Sequence, residues 1–255
     1  MDRITSAKNP RIQRLRDLKS ARVRREENLV LVEGEVMIRE ALSCGLRLRD
    51  AAADEGCEAF ARELEAMGLP VMLVNRSLLE SICETRTPQG VCAAFDAPRP
   101  LADAELPERI VALDGVQDPG NVGTIWRTAD AAGFQALLLG AGSADPLSPK
   151  VLRAAMGSGF RLKFAFADPL CAALEALRGR GYRVLVSDLK GADFYARGEI
   201  GEKFVLVIGN EARGVSGEVR EAADVRLRLP MRGGAESLNA AVAAGIMMYE
   251  LMRGR

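Results

Sequence analysis

Short apolar runs alternate with segments of helical spacing along most of the chain. In the second half, apolar runs predict strands at residues 110–113, 136–139, 183–187, 204–208 and 225–229. Segments with helical spacing predict helices at residues 122–132, 150–156, 170–180 and 239–252. This alternation is typical of a parallel sheet with helices on both faces, and the pattern alone predicts an ordinary right-handed doubly wound α/β domain.

The first half of the chain repeats the alternation on a smaller scale. Strands are predicted in NLVLVEG, LPVMLVN and QGVCAAF, and amphipathic helices in EVMIREALSCG and CEAFARELEAMG. An earlier helix is predicted where Ile12, Leu15 and Leu18 share one face. The proline-containing stretch DAPRPLADAELPER is excluded from regular structure. We therefore predict a small N-terminal α/β domain at residues 1–97, a linker at 98–108 and a second domain at 109–255.

The balance of charge and the missing residue types exclude several classes of protein. Lysine plus arginine equals aspartate plus glutamate at 35 each, yet the first 25 residues carry a net charge of +7. That segment is either an arm that binds a polyanion or a solvated helix face, and the sequence favours neither. Histidine is absent, which excludes Ser-His-Asp and Cys-His catalysis and histidine metal sites. Five scattered cysteines and no long apolar run predict a metal-free cytoplasmic protein without a membrane span or secretory signal.

Three loops that follow predicted strands share an unusual composition. They are DPGNVGTIWRTAD, GNEARGVS and PMRGGAESLN, which contain glycines, amide side chains and few charges. Such loops suit a flat, neutral, hydrogen-bonding ligand such as a nucleobase, with Pro230, Met231 and Leu238 as apolar walls. Motifs that bind nucleotide phosphates are missing. Each loop could alone be a helix cap, but three such loops in one half of the chain favour a binding site.

These loops, in this order, resemble the three motifs of the SpoU family in the SPOUT class of RNA methyltransferases. LDGVQDPGNVGTIWRTADAAGF resembles the first motif, LVIGNEARGVS the second and LRLPMRGGAESLNAAVAAGI the third. SPKVLRAAMGSGFRL matches the intervening segment of the family. The N-terminal stretches NPRIQRLRDLKSARVRREENLVLVEGEVMIREAL and TRTPQGVCAAF are similar to the substrate-binding domain of some members.

The resemblance implies transfer of a methyl group from S-adenosylmethionine to a ribose 2′-hydroxyl of RNA. It also implies a homodimer through the catalytic domain and a C-terminal trefoil knot, which periodicity alone would not suggest. Ribosomal RNA is the first expectation and transfer RNA the second. The alternatives are a non-catalytic RNA-binding member and a nucleotide-binding oxidoreductase. The glycine spacing disfavours the oxidoreductase.

Mapped residue by residue, the resemblance also implies a site. The expected catalytic residues are Asn121, Arg127, Glu211, Ser237 and Asn239. The expected cofactor-binding residues are Ile208, Gly209, Leu229, Met231, Ser237 and Leu238. The expected RNA-binding residues are Arg11, Arg14, Lys19, Arg22, Lys150 and Arg153.

The role of Arg127 remains open at the level of sequence. The resemblance points to Arg127 as the acceptor of the ribose proton, but a guanidinium group almost always keeps its own proton. Alternatively, Arg127 grips a phosphate and stabilises the developing oxyanion. A purely structural pairing with Asp130 or Glu211 is the third reading. Trp126 stands where the family has a smaller residue, either as packing or as a ring that stacks on a base.

Overall fold

A computed structural model of the protein describes residues 1–254, which divide into two compact units. The first unit combines Met1–Arg99 with Asp145–Phe160, and the second combines Pro100–Ala144 with the chain from Arg161 onward. The predicted division at residues 98–108 lies close to the first boundary, but it does not include the later segment.

The elements alternate along the chain as the hydrophobic pattern predicts. Up to residue 96 they are β1 (Asp2–Ile4), α1 (Pro10–Asp17), α2 (Ala21–Glu27), β2 (Leu29–Glu33), α3 (Glu35–Ser43), β3 (Leu48–Ala53), α4 (Glu58–Ala66), β4 (Val71–Val74), α5 (Arg76–Ile82) and β5 (Val91–Asp96). They continue with β6 (Arg109–Asp114), α6 (Pro119–Ala132), β7 (Ala136–Gly140), α7 (Pro149–Ala155), α8 (Ser158–Arg161), β8 (Lys163–Ala167), α9 (Leu170–Gly179), β9 (Arg183–Asp193), β10 (Phe204–Gly209), α10 (Gly217–Glu221), β11 (Val225–Arg228) and α11 (Ala240–Met252).

The first unit is a sheet of order β1-β4-β3-β5-β2 with helices on both faces. Side chains from α3 and α4 cover one face, and Ile12, Leu15 and Leu18 pack with α5 on the other. The shared face predicted for the first helix is therefore confirmed. The strand β3, which lies at the centre of this sheet, was not predicted because its LRDAAA sequence lacks β-branched residues.

The segment Asp145–Phe160 belongs to the first unit because its side chains complete that unit's core. Leu152 and Phe160 are buried in the cluster that covers one face of the sheet. Arg24, itself buried, donates from Nη2 to Oδ2 of Asp145 at 2.5 Å and from Nη1 to the carbonyls of Leu18 and Lys19. A sequence pattern cannot reveal this assignment, since the segment lies far along the chain from its partners, for example 121 residues between Arg24 and Asp145.

The second unit is a parallel sheet of order β11-β9-β10-β6-β7-β8. The predicted parallel α/β domain is therefore confirmed, although the short edge strand β8 was not predicted. Strands β6, β9 and β10 are neighbours, so the loops at their carboxyl ends converge at one edge. The helix α11 packs against α6. Trp126 is fully buried and donates from Nε1 to the carbonyl of Leu162, so its ring is packing and not an exposed base-stacking platform.

Candidate active site

A pocket of about 910 Å³ lies at the carboxyl edge of the second unit's sheet. Its walls come from residues 187–190 in β9, the end of β10 with its following loop, the stretch 226–231, and the start of α11. The structure brings together all the residues predicted to bind the cofactor: Ile208, Gly209, Leu229, Met231, Ser237 and Leu238 line this pocket.

The loop after β10 is shaped by one asparagine and two glycines. Asn210 accepts hydrogen bonds at Oδ1 from the backbone N–H groups of Ala212 (3.0 Å) and Arg213 (3.1 Å). Its Nδ2 donates to the carbonyl of Gly115 at 2.8 Å, which ties the loop to the end of β6. A Cβ atom at Gly209 would lie 2.3 Å from the backbone of Gly214 and Val215, so only glycine allows this close return of the chain.

A polar network connects the three predicted motifs beside the pocket. Asn121 donates from Nδ2 to Oε1 of Glu211 at 2.9 Å. Asn239 donates from Nδ2 to Oδ1 of Asn121 at 3.0 Å. Asn239 also caps α11, because its Oδ1 accepts from the backbone N–H groups of Ala241 and Val242. Three residues that lie far apart in the sequence are thereby fixed relative to one another.

Glu211 is held as an ionised acceptor in this network. Its carboxylate also accepts from the backbone N–H groups of Gln117 (3.3 Å) and Asp118 (3.2 Å). Burial by itself raises the pKa of Glu211, but the hydrogen bonds from Asn121 and from the main chain outweigh it and hold the pKa below its ordinary value. A carboxylate with a lowered pKa is a weak proton acceptor at neutral pH, and its hydrogen bond with Asn121 orients that amide.

Ser237 and Arg127 are placed differently from this network. Ser237 is exposed and lines the pocket beside Leu238. Arg127 is exposed on α6 and is not among the residues that line the pocket. Within residues 1–254 the Arg127 guanidinium makes no hydrogen bond or ion pair. Its two candidate partners bind elsewhere: Asp130 pairs with Arg161 at 3.1 Å, and Glu211 accepts from Asn121. The structural pairing considered for Arg127 is thus not what the structure contains.

Most of the predicted RNA-binding residues have partners inside the first unit. Arg11 grips the buried Asp50 through Nε (2.8 Å) and Nη2, and this hydrogen bonding raises the pKa of Arg11. The others with partners are Arg14 with Glu27 (2.6 Å), Lys19 with the carbonyl of Ser81 (2.7 Å), Arg22 with Glu26 (3.8 Å) and Arg153 with Thr85 (3.1 Å). Lys150 is exposed at the start of α7.

Several pocket residues were missed from the sequence. Lys190, Arg213 and Arg228 line the pocket, and Asp188 lies among them. A usable signal did exist, because the carboxyl end of β9 belongs to the same sheet edge as the three motif loops. Asp188 and Lys190 of β9 carry no recognisable motif, so that signal was overlooked, whereas Arg213 and Arg228 lie inside the second and third motifs.

Two further properties concern the described residues, 1–254. No group of three or more cysteine, aspartate or glutamate side chains is arranged to hold a metal ion. None of the helices combines the length and apolar character that a membrane crossing requires.

The sequence model of the SpoU rRNA Methylase family matches residues 108–249, which contain the pocket and the polar network. This chain belongs to the SpoU family. The resemblance stated from the motifs is therefore confirmed. Residues 9–93 match the MRM3-like substrate binding domain.

Full-length relatives of this SpoU family member are known. It is 37% identical to the 23S rRNA (guanosine(2553)-2'-O)-methyltransferase RlmP of Bacillus subtilis (strain 168), over 98% of this chain and 99% of that protein. Among solved structures, it is similar to an AdoMet-bound rRNA methyltransferase from Sinorhizobium meliloti, with a TM-score of 0.87, 33% identity and coverage of 99% and 97%. It is also similar to the SpoU methyltransferase AviRb from Streptomyces viridochromogenes in complex with AdoMet, with a TM-score of 0.84, 28% identity and coverage of 96% and 98%.

Proposed function

We propose that this protein transfers a methyl group from S-adenosylmethionine to a ribose 2′-hydroxyl of 23S ribosomal RNA. The observation that carries the proposal is the pocket lined by motif residues beside the hydrogen-bonded Asn121, Glu211 and Asn239. The choice of ribosomal RNA is supported by the activity named for the Bacillus subtilis relative, which aligns over the whole chain.

The residues of the pocket fit S-adenosylmethionine. Its volume of about 910 Å³ lies within the range of small-molecule sites, and Leu229, Met231 and Leu238 supply apolar surface. The backbone of the tight 209–214 loop supplies polar groups next to that surface. When bound, the cofactor supplies a methyl group already activated on a sulfonium.

The protein's part is then to align the ribose oxygen and to stabilise the charge that develops on it. Asn121 and Asn239 are fixed by Glu211 and by the cap of α11, so they present rigid polar groups beside the pocket. Positioning of this kind lowers a barrier by as much as roughly 7–11 kcal/mol in well-oriented systems.

We propose that Arg127 binds the phosphate beside the target ribose and stabilises the oxyanion that develops during transfer. The support is that Arg127 is exposed and makes no internal ion pair among residues 1–254, so its fork of donors is free for a ligand. Acceptance of the ribose proton by Arg127 is the alternative role.

We also propose a cytoplasmic homodimer with a C-terminal trefoil knot and an N-terminal unit that binds the RNA. The dimer is supported by α11, which packs on α6 and leaves Val242 and Tyr249 more than half exposed. The knot is supported by membership of the SpoU family and by the position of β9 between β10 and β11. RNA binding by the first unit is supported by its match to a substrate-binding domain.

The test is methyl transfer from radiolabelled S-adenosylmethionine to unmodified 23S ribosomal RNA and, separately, to unmodified transfer RNA. We expect label in the ribosomal RNA, on a 2′-O-methylribose after nuclease digestion. Label in transfer RNA alone would make transfer RNA the substrate and leave the proposed reaction unchanged. Cofactor binding without transfer to either RNA, even with total cellular RNA as acceptor, would favour a non-catalytic RNA-binding protein.

A further inference from the structure

The mouth of the pocket carries an excess of positive charge. Of the described residues that line it, two are acidic, namely Asp188 and Glu211, and five are cationic, namely Lys190, Arg213, Arg220, Arg226 and Arg228. The lining therefore has a net charge of +3, although the whole chain has a net charge of zero.

Asp188 neutralises only part of this excess. Its buried carboxylate accepts from Nε of Arg220 at 3.0 Å and lies 3.9 Å from Nη1 of Arg226. The Asp188 carboxylate also accepts from the backbone N–H of Lys190 at 3.0 Å. This hydrogen bond holds the backbone at Lys190, but the Lys190 ammonium group makes no ion pair with Asp188. Asp188 thus organises two arginines and the turn beside them.

Glu211 offers nothing to the remaining cations. Its oxygens accept from the Asn121 amide and from the backbone N–H groups of Gln117 and Asp118. Lys190, Arg213 and Arg228 are exposed, and within residues 1–254 none of the three has an acidic partner. Three uncompensated positive charges therefore surround one opening.

These three cations stand on ordered backbone from three different elements. Arg228 lies on β11, the edge strand of the sheet, and pairs in register with Asp193 of β9. Lys190 lies on the extension of β9, which approaches β11 so closely that a Cβ at Gly191 would lie 2.5 Å from the backbone of Arg226. Arg213 is in the loop that Asn210 holds. The fold therefore sets the backbone positions of all three cations around the opening.

The cofactor does not account for this charge. S-adenosylmethionine has a sulfonium and an ammonium group against a single carboxylate, so a net positive rim repels it overall. An anion is the complementary ligand, and under the proposed function the polyanion that approaches the mouth of this pocket is the RNA backbone.

We propose that Lys190, Arg213 and Arg228 form a phosphate-binding rim that holds the RNA backbone next to the target nucleotide. This inference rests on the proposed function, and it assigns RNA contacts to the second unit in addition to the N-terminal unit. Contacts to phosphates set the position of the RNA without reading its sequence, so the rim supplies affinity and register and not the choice of nucleotide.

The salt dependence of RNA binding tests this rim. We compare the wild type with a triple variant, Lys190→Gln, Arg213→Gln and Arg228→Gln, using an unmodified in vitro transcript of 23S ribosomal RNA. Each phosphate contact contributes about 0.7–0.9 to the slope of log affinity against log salt concentration. The triple variant should therefore lose roughly 2–3 from the slope, without any loss of affinity for S-adenosylmethionine, since the positive rim repels this cofactor.

A charge-matched control uses three cations of the same unit that do not line the pocket: Lys163→Gln, Arg178→Gln and Lys203→Gln. The control should keep the wild-type slope, because it removes the same charge at a different place. An unchanged slope in the rim variant, or an equal loss of slope in the control, would overturn the proposal that the rim binds phosphates. Weaker cofactor binding with an unchanged slope would instead assign these side chains to the cofactor. If the wild type itself neither binds the cofactor nor methylates RNA, the proposed function fails first.

Discussion

The basic N-terminal segment and the rim of the pocket are both rich in cations, but they use them differently. In the first 25 residues, arginines such as Arg11, Arg14 and Arg24 are paired with carboxylates of their own unit. At the pocket, Lys190, Arg213 and Arg228 have no acidic partner among residues 1–254. Most cations of the N-terminal segment are thus engaged in contacts within the fold, whereas the three cations at the pocket are available to a ligand.

The difference follows from where the acidic partners lie. Asp50 is buried and must be paired, because an isolated buried carboxylate is very unfavourable. Arg11 meets that need with two parallel hydrogen bonds. An exposed cation without an acidic partner is not neutralised by the protein, so it can attract an anionic ligand from solution. Local net charge therefore says less about binding than the distribution of partners does.

The largest effect is expected at the unpaired cation of α6. Arg127→Ala should lower the rate of methyl transfer about 10²–10³-fold, as for the loss of one group that stabilises a developing oxyanion. Cofactor affinity and the melting temperature should stay near wild type, since Arg127 makes no internal pair in residues 1–254 and does not line the pocket. Single-turnover kinetics with ribosomal RNA and calorimetric cofactor titration measure the two quantities.

Two further variants sharpen that result. Arg127→Lys should not restore the rate, because an ammonium group lacks the planar fork of the guanidinium. Arg178→Ala, a paired surface arginine of α9, should keep the wild-type rate. Wild-type turnover in Arg127→Ala would remove this residue from the chemistry.

A paired cation should show the opposite behaviour, and Arg24 is the best case. Asp145→Asn removes the partner of a buried guanidinium whose Nε already has no hydrogen-bond partner among residues 1–254. We expect the free energy of unfolding to fall by about 3 kcal/mol, measured by urea denaturation. The rate per folded molecule should change little, because the pair lies in the first unit.

The control for this variant is Asp17→Asn, which removes an exposed carboxylate from the same basic region. It should change the free energy of unfolding by less than about 0.5 kcal/mol. An equally small change for Asp145→Asn would mean that water already solvates Arg24, and the contrast between paired and unpaired cations would lose its strongest example.

The next effect in size concerns Glu211, an anion that orients a neutral group. Glu211→Gln places an amide N–H₂ group opposite either the N–H donor of Gln117 or those of Asp118 and Asn121. Transfer should slow roughly 10- to 100-fold, since misplacement of about 1 Å has consequences of that order. The double variant with Asn121→Ala should be no slower than Asn121→Ala alone, because both residues act as one unit. Additive losses of rate in the double variant would show that Glu211 and Asn121 act independently.

The lowered pKa of Glu211 adds a pH dependence. Because the folded state holds the proton less tightly than the unfolded chain does, Glu211 stabilises the fold above its ordinary pKa of about 4.3. This contribution is lost as the pH falls through the lowered pKa of the folded state. The difference in melting temperature between wild type and Glu211→Gln should therefore shrink below about pH 4.3. A constant difference would contradict the hydrogen-bonding account.

The smallest effect is expected at an exposed pair of the basic segment. Arg22 lies 3.8 Å from Glu26 on α2, and both side chains are mostly exposed. Arg22→Gln should lower the free energy of unfolding by less than about 0.5 kcal/mol. If it nevertheless lowered the salt slope of RNA binding by about 0.7–0.9, the N-terminal segment would regain the RNA-binding role that its charge suggests.

The sequence was a good guide wherever one element carries its own signal. The apolar runs that became β6, β7 and β10 were found within one residue at each end. The strands β1, β3 and β8 were missed, because β1 has only three residues, β3 lacks β-branched residues and the alternating pattern of β8 was overlooked. All six residues predicted to contact the cofactor line one pocket, since motif loops at the ends of parallel strands must meet.

The sequence by itself determined the α/β alternation, the family and the motif residues that line the pocket, because local patterns and motifs carry each of these signals. Only the tertiary structure decided which cations are free. Whether an arginine meets Asp50, Asp145 or solvent depends on contacts between residues that are remote along the chain. The same holds for Asp145–Phe160, which completes the core of the first unit although it lies within the sequence of the second.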